Sequence, residues 1–160
     1  MRRLLSKFIF FLTFTVISHG AVAACIGFVP VTNDSDPETS AVKHALGQSD
    51  AVFIGSVTSQ DYVPVSPERD SKEMLIITMS TSTWWKGEDV RTVRLKTSNY
   101  KYPDGMNSYE VHGYHFTVGA TYLIYANAFQ DGLSASVCSR TSRIENATND
   151  LVILDVLKRE

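Results

Sequence analysis

The sequence lacks the patterns that would identify an activity directly. Beyond the N-terminal segment, no apolar run approaches the roughly 20 residues that a membrane-spanning helix needs, and no catalytic or nucleic-acid-binding motif is present. Basic residues are not in excess, because 15 Lys and Arg stand against 17 Asp and Glu, which disfavours partners with a phosphate backbone. The chain also has no internal repeat and no long linker, so we predict one domain with its own core.

The N-terminus has the three parts of an export signal. Basic residues precede an apolar run over residues 8–17, and Ala21-Val22-Ala23 has the small-residue spacing that signal peptidase accepts. We therefore predict that residues 1–23 are a signal peptide and that residues 24–160 form a single exported domain, periplasmic or extracellular. Removal of the basic signal would leave this domain more acidic than the whole chain, whose formal charge is −2.

Only two cysteines occur, and the sequence allows two readings of them. In an oxidising compartment Cys25 and Cys138 are expected to pair, which would attach the new N-terminus to the core. A closed loop of that length is worth about 4 to 5 kcal/mol in the chain-entropy model. The alternative is a lipoprotein signal, in which Cys25 is acylated and anchors the protein to a membrane.

Two helices and five strands are predicted from periodicity and end signals. Asp36-Pro37-Glu38 supplies an N-cap, a proline at the first helical position and an early acid for a short helix, and Gly47 is expected to end it. The helical stripe Ile144, Ala147, Leu151 and Leu154 predicts a C-terminal helix within 144–157. Runs rich in β-branched and aromatic residues predict strands over 51–58, 74–85, 90–97, 122–129 and 133–138.

The connections between these strands suggest how they assemble. Asp131-Gly132 tolerates positive φ and predicts a tight hairpin turn, whereas segments 64–73 and 99–108 have the proline, glycine and charge of exposed loops. An open sheet would leave two free edges, so five strands favour a small closed antiparallel barrel. The predicted fold class is mainly β, with a short N-terminal helix and a C-terminal helix.

Several short motifs also occur in a recognisable order. They are Cys25 after the signal, Ser49 to Val57, Trp85-Lys86-Gly87, His112 to Gly119, Tyr122 to Ala126, Asp131-Gly132-Leu133 and Cys138-Ser139-Arg140-Thr141. Together they cover nearly the whole of residues 24–160, and their order resembles the netrin-like domain. This is the fold of the tissue inhibitors of metalloproteinases and of their exported bacterial relatives, and the resemblance implies an OB-fold barrel.

The chain departs from this family in its cysteines. Family members usually begin Cys-x-Cys and carry two disulfides, but Ala23 and His112 stand at the positions of one cysteine pair. Cys25 and Cys138 match the other pair, which implies that these two are bridged. In the inhibitors, the amine and carbonyl of the first mature residue chelate the protease zinc. Here Ala24 would supply those groups, followed by a bridged cysteine in place of a free specificity side chain.

These observations predict an exported, non-enzymatic protein-binding module without a cofactor, whose sharpest candidate partner is a secreted metallopeptidase. The N-terminal segment and a tyrosine-rich loop are the expected contact surface, since tyrosine gives contact area with little entropy lost. The candidate partner-binding residues are Ala24, Cys25, Ile26, Tyr100, Tyr102, Tyr109 and His112. The alternative is a structural or lipid-anchored cell-envelope domain with no inhibitory activity.

Two other readings are weaker. His112 and His115 are the only nearby pair of imidazoles, but a spacing of three on a strand puts them on opposite sides, so surface positions are favoured over a shared metal ion. For Trp84 and Trp85, we expect one ring to pack inward and the other to lie over the barrel end, and core packing is favoured over an aromatic binding face for Trp85.

Overall fold

The computed structural model describes residues 36–68, 71–108 and 113–159. Within these ranges the chain is mainly β, with one helix before the sheet and one after it, as predicted. The predicted signal peptide and the candidate residues Ala24, Cys25, Ile26, Tyr109 and His112 lie outside the described residues. No helix in the described ranges is long and apolar enough to cross a bilayer.

The elements follow one another with short connections except between the fourth and fifth strands. In chain order they are α1 (Pro37–Gln48), β1 (Ala51–Pro64), β2 (Glu73–Lys86), β3 (Thr92–Lys101), β4 (Asn107–Ser108), β5 (Thr121–Phe129), β6 (Gly132–Ala135), β7 (Ser142–Arg143), a 3₁₀ turn (Ile144–Asn146) and α2 (Thr148–Leu157).

The first helix begins as predicted but ends differently. Asp36 is its N-cap and accepts a hydrogen bond from the Thr39 N–H (3.2 Å), with Pro37 at the first helical position. Gly47 does not end the helix, because α1 continues to Gln48. Ser49 closes it instead, since both its backbone N–H (3.0 Å) and its hydroxyl (2.9 Å) donate to the Ala45 carbonyl.

Five strands pair in a closed ring. The circuit runs β1–β2–β3–β6–β5 and returns from β5 to β1, while the short β4 and β7 pair with β3 and β5. The prediction that all pairs are antiparallel is wrong, because β3 and β6 pair in parallel through Leu95 and Leu133. An odd number of strands cannot alternate in direction around a closed ring, so one parallel pair is unavoidable.

The ring encloses one apolar cluster and carries a second on its outside. The inner cluster is centred on Phe53, Met79, Leu95, Tyr122 and Ile124. The outer cluster forms where α1 and α2 cover β1 and β5, and its buried members are Val42, Val52, Leu123, Tyr125, Ala147 and Leu154. Alternate residues of β1 and β5 face these two cores, which explains why residues 122–126 are buried on both faces of β5.

Element boundaries near the C-terminus also differ from the prediction. The β5–β6 turn consists of Gln130 and Asp131, and the positive φ (54°) falls on Gln130, whereas Gly132 opens β6. The C-terminal helix starts at Thr148, because Ile144–Asn146 form a separate 3₁₀ turn. The predicted strand over 133–138 ends at Ala135, followed by a turn that contains Cys138.

Candidate functional site

Of the predicted contact residues, the structure describes Tyr100 and Tyr102, and both lie toward one end of the ring. Because β3 and β6 run in parallel, Tyr100 near the end of β3 and Cys138 after β6 lie at the same end of the sheet. The antiparallel β5 begins there at Thr121. We call this the Cys138 end, defined by Tyr100, Thr121 and Cys138. The opposite end carries the Gln130–Asp131 turn.

The tyrosine-rich segment is a hairpin and not the loop predicted over 99–108. Tyr100 lies on β3, opposite Met74 on one side and Ser108 on the other. The Lys72 ammonium lies 3.9 Å from the centroid of the Tyr100 ring, a cation–π contact that holds the ring in place. The turn is closed by hydrogen bonds between Tyr102 and Met106 (2.8 Å) and between Gly105 and Tyr102 (2.9 Å). Both tyrosines are half-buried.

The segment after residue 112 closes the interior at the Cys138 end. Gly113 pairs with Ser136, and the rings of Tyr114, Phe116 and Tyr122 pack together with centroids 4.9 to 5.7 Å apart. The Tyr122 hydroxyl accepts a hydrogen bond from the Thr117 N–H (2.9 Å). Burial raises the pKa of Tyr114 above its ordinary value. Residues 113–122 therefore form an aromatic plug, a role that the sequence did not reveal.

Of the two cysteines, the structure describes Cys138 but not Cys25. Cys138 lies in an exposed turn, where its N–H donates to the Ser136 hydroxyl (3.0 Å). No cysteine within the described ranges is free. Cys25, the predicted partner, lies outside them, so the Cys25–Cys138 bridge stays a prediction.

A polar network lies directly behind the turn of Cys138. Arg140 donates to both carboxylate oxygens of Asp150, from Nε to Oδ2 (2.9 Å) and from Nη2 to Oδ1 (2.6 Å). The Tyr125 hydroxyl also donates to Asp150 Oδ2 (2.9 Å). Arg140 Nη2 makes a further ion pair with Glu38 in the first turn of α1. One guanidinium therefore connects the Cys138 turn to the starts of both helices.

The network is buried on one side and solvated on the other. The side chain of Asp150 is 10% exposed, that of Arg140 is 31% exposed and that of Glu38 is 49% exposed. The pKa of Arg140 is raised, mainly by its hydrogen bond to Asp150. Burial, followed by the charge of Asp150, raises the pKa of Tyr125. The phenol therefore stays protonated and acts only as a donor.

The sequence did not single out this network, although one signal was present. Asp150 lies three residues after Ala147 and four before Leu154, so it falls on the apolar stripe that predicted the C-terminal helix. A carboxylate on a buried stripe is rarely left without a cation. The stripe therefore predicts a cation beside Asp150, and in the structure that cation is Arg140 of the Cys138-Ser139-Arg140-Thr141 motif.

The remaining candidates have structural positions. His115 is exposed, His112 lies outside the described residues, and no group of three or more possible metal ligands occurs in the part of the chain that the structure describes. Trp84 stacks on Phe53 in the inner core with centroids 4.5 Å apart. Trp85 does not cover the end of the ring, because it packs against the outer core and donates from Nε1 to Asp155 (3.0 Å).

No protein-family model matches this chain, and no curated protein matches it. Function is therefore inferred from the geometry of the Cys138 end together with the motif order in the sequence.

Proposed function

We propose that this protein is an exported, non-enzymatic protein-binding module with a closed netrin-like barrel, and that it binds a secreted metallopeptidase through the Cys138 end. The observation that carries the proposal is the convergence of three elements there. The tyrosine hairpin and the turn of Cys138 lie at the same end because β3 and β6 are parallel, and the segment that starts at Gly113 lies there through its pairing with Ser136.

The strand order supports the barrel. Five main strands pair in a ring through four antiparallel pairs and one parallel pair, as expected for a five-stranded Greek-key barrel. The aromatic plug packs against the inner core at the Cys138 end. In this proposal, binding is a property of the surface around the plug.

The Arg140 network supports a bridge between Cys25 and Cys138. The ion pair of Arg140 with Glu38 holds the first turn of α1 against the turn that contains Cys138. The segment that leads from Cys25 into α1 therefore ends close to the proposed bridge. An extended chain gains about 3.3 to 3.6 Å per residue, so residues 25–36 have ample length to reach Cys138.

The bridge would position the N-terminal residues within the contact surface. Gly113 pairs with Ser136, two positions before Cys138, so Ala24 and Ile26 would lie beside the segment that follows His112. In this arrangement Ala24 presents its amine and carbonyl to the partner's zinc. The bridged Cys25 replaces the specificity side chain, so partner choice depends more on the surrounding surface than in the inhibitors of the family.

Exposed apolar side chains around this end support a protein partner. Met106, Val118 and Val137 are 64%, 56% and 38% exposed, and they lie in the tyrosine hairpin, the turn before β5 and the turn of Cys138. Such residues beside half-buried tyrosines have the composition of a protein interface core with a polar rim. Tyr102 and the ordered Tyr100 would contribute area at small entropic cost.

Inhibition of a panel of secreted metallopeptidases by the exported protein tests the proposal. Inhibition should be lost when one residue is added before Ala24, because the added residue moves the free amine away from the zinc. Inhibition that survives this extension would refute chelation by the amine. Val118→Asp should weaken binding at least tenfold through a desolvated charge, whereas Val152→Asp, at an equally exposed valine on α2, should have no effect.

Intact and peptide mass spectrometry under non-reducing conditions tests the covalent premise. A first residue at Ala24 and a two-hydrogen deficit across the peptides of Cys25 and Cys138 support the tethered N-terminus. A diacylglyceryl mass on Cys25 would instead establish the lipid-anchored envelope protein and end the proposal.

A further inference from the structure

A groove crosses the outer face of β2 and β3, and one of its lining residues, Met74, pairs with Tyr100. It lies between the end of β1 and the Gln130–Asp131 turn and has a volume of about 390 Å³. This volume falls within the range of sites that take small molecules. Its lining has an apolar side (Val63, Val65, Met74 and Ile76), a basic side (Arg94 and Lys96) and one acidic residue from the turn, Asp131.

The apolar side offers contact to hydrocarbon. Met74 and Ile76 form the floor and are 5% and 6% exposed, so they are already held in place by their neighbours. Val65 stands at the rim and is 46% exposed. A ligand chain lying between this valine and the floor would remove apolar area from water on both molecules.

The basic side has one cation that pairs with no other residue in the described part of the chain. Lys96 is paired with Asp131, whose carboxylate faces water. Arg94 is exposed and forms no ion pair with another described residue. The groove therefore carries a net positive charge, and its unpaired cation is a guanidinium, whose planar fork matches a carboxylate through two hydrogen bonds.

We propose that this groove binds a linear aliphatic carboxylate, with its carboxylate on Arg94 and its chain along Val65, Met74 and Ile76. Charge complementarity selects an anion over a neutral or cationic amphiphile. One unpaired cation beside the apolar side favours a ligand with one anionic headgroup and a hydrocarbon tail. A nucleic acid, with many phosphates, would need more cations than the groove offers. The site shares no lining residue with the aromatic plug, but it adjoins the proposed metallopeptidase contact, because Met74 pairs with Tyr100.

Calorimetric titration of the protein with octanoate, decanoate and dodecanoate, below their micelle concentrations, tests the proposal. Affinity should rise by up to about fourfold for each added methylene, from the transfer free energy of a buried CH₂. Decanol and decyltrimethylammonium should bind at least tenfold more weakly than decanoate, because neither pairs with a guanidinium. Amide chemical shifts in the decanoate titration should change most at residues 63–65, 74–76 and 94–96.

Arg94→Gln provides the site-specific test, and Arg91→Gln provides its control. Both arginines are exposed, but Arg91 does not line the groove. Arg94→Gln should weaken decanoate binding about tenfold through loss of charge-assisted hydrogen bonds, and Arg91→Gln should leave it unchanged. Equal binding of decanoate and decyltrimethylammonium to the unmodified protein would overturn the proposal. So would unchanged affinity in Arg94→Gln, or shifts centred on the exposed Val152 and Val156 of α2.

Discussion

Replacing Asp150 by asparagine should destabilise this protein more than Tyr125→Phe or Glu38→Gln in the same network. The carboxylate accepts three hydrogen bonds, two from Arg140 and one from the Tyr125 hydroxyl, at 2.6 to 2.9 Å. An asparagine of the same shape keeps one acceptor oxygen but turns an NH₂ group toward a donor. Asp150→Asn therefore removes the negative charge and leaves at least one donor facing another donor.

The expected size of the effect follows from burial. Removing one partner of a buried ion pair costs about 3 to 5 kcal/mol. Water still reaches Arg140, whose side chain is 31% exposed, so we expect about 2 to 3 kcal/mol for Asp150→Asn. Tyr125→Phe removes a single hydrogen bond and should cost about 1 kcal/mol. Glu38→Gln removes the solvent-exposed ion pair with Arg140 and should cost less than about 1 kcal/mol.

Equilibrium urea unfolding under non-reducing conditions measures these differences. Tryptophan fluorescence is a suitable probe because Trp84 is buried against Phe53 and Trp85 packs against the outer core. The free energy of unfolding, obtained by linear extrapolation, should fall in the order Glu38→Gln, Tyr125→Phe, Asp150→Asn, with the last variant the least stable. Adding Arg140→Met to Asp150→Asn should restore part of the loss, because it removes the cation that the asparagine leaves unpaired.

An Asp150→Asn variant as stable as Glu38→Gln would refute this reasoning. Such a result would mean that the Asp150 carboxylate gains nothing from its burial beside Arg140. Additive losses in the double variant would likewise contradict a coupled pair.

Two further predictions concern packing and pH. Gly55→Ala should lower the free energy of unfolding by about 1 to 3 kcal/mol, because the added Cβ would lie 2.9 Å from Met79 Sδ inside the ring. Gly47→Ala, in open space on α1, should raise it by about 0.4 to 1 kcal/mol. Urea unfolding measures both changes, and a change of the same sign in both variants would contradict this prediction. Because the pKa of Tyr125 is raised above 10.0 in the folded state, its contribution is complete below pH 10.0 and declines at higher pH as the unfolded chain ionises. The stability difference between the unmodified protein and Tyr125→Phe should therefore shrink as the pH rises from 10 to 11, and a constant difference would show that the phenol ionises freely.

Much of the secondary structure could be predicted because its signals are local. Asp36-Pro37 marks the start of α1 correctly, and β-branched runs identify β1, β2, β3 and β5. The predicted end of β1 at residue 58 is too early, because Ser59 to Tyr62 are polar or exposed yet still pair with β2 in an extended hairpin. Strands that pair through the backbone but bury few side chains do not need alternating apolar and polar residues, so the sequence does not reveal them.

Relations between distant segments could not be read in the same way. Nothing in the residues around Leu95 or Leu133 specifies a parallel pair, which follows only from closing an odd number of strands. The candidate site depends on that pair, since it brings Tyr100 and Cys138 to one end. The Arg140–Asp150 contact also joins separate elements, and its sequence signal was a single acid on an apolar stripe.

Ring closure also shapes how the chain must fold. Three of the five pairings join strands that are neighbours along the chain, and they can form early as hairpins. The other two pairings join strands that are far apart in the sequence, at Ala51 with Ala126 and at Leu95 with Leu133. Each of them closes a long loop at an entropic cost. High contact order of this kind is associated with folding in milliseconds to seconds. During that interval the unpaired strand edges are exposed to other chains. The slowest of the two long-range pairings therefore determines how long the folding chain can aggregate.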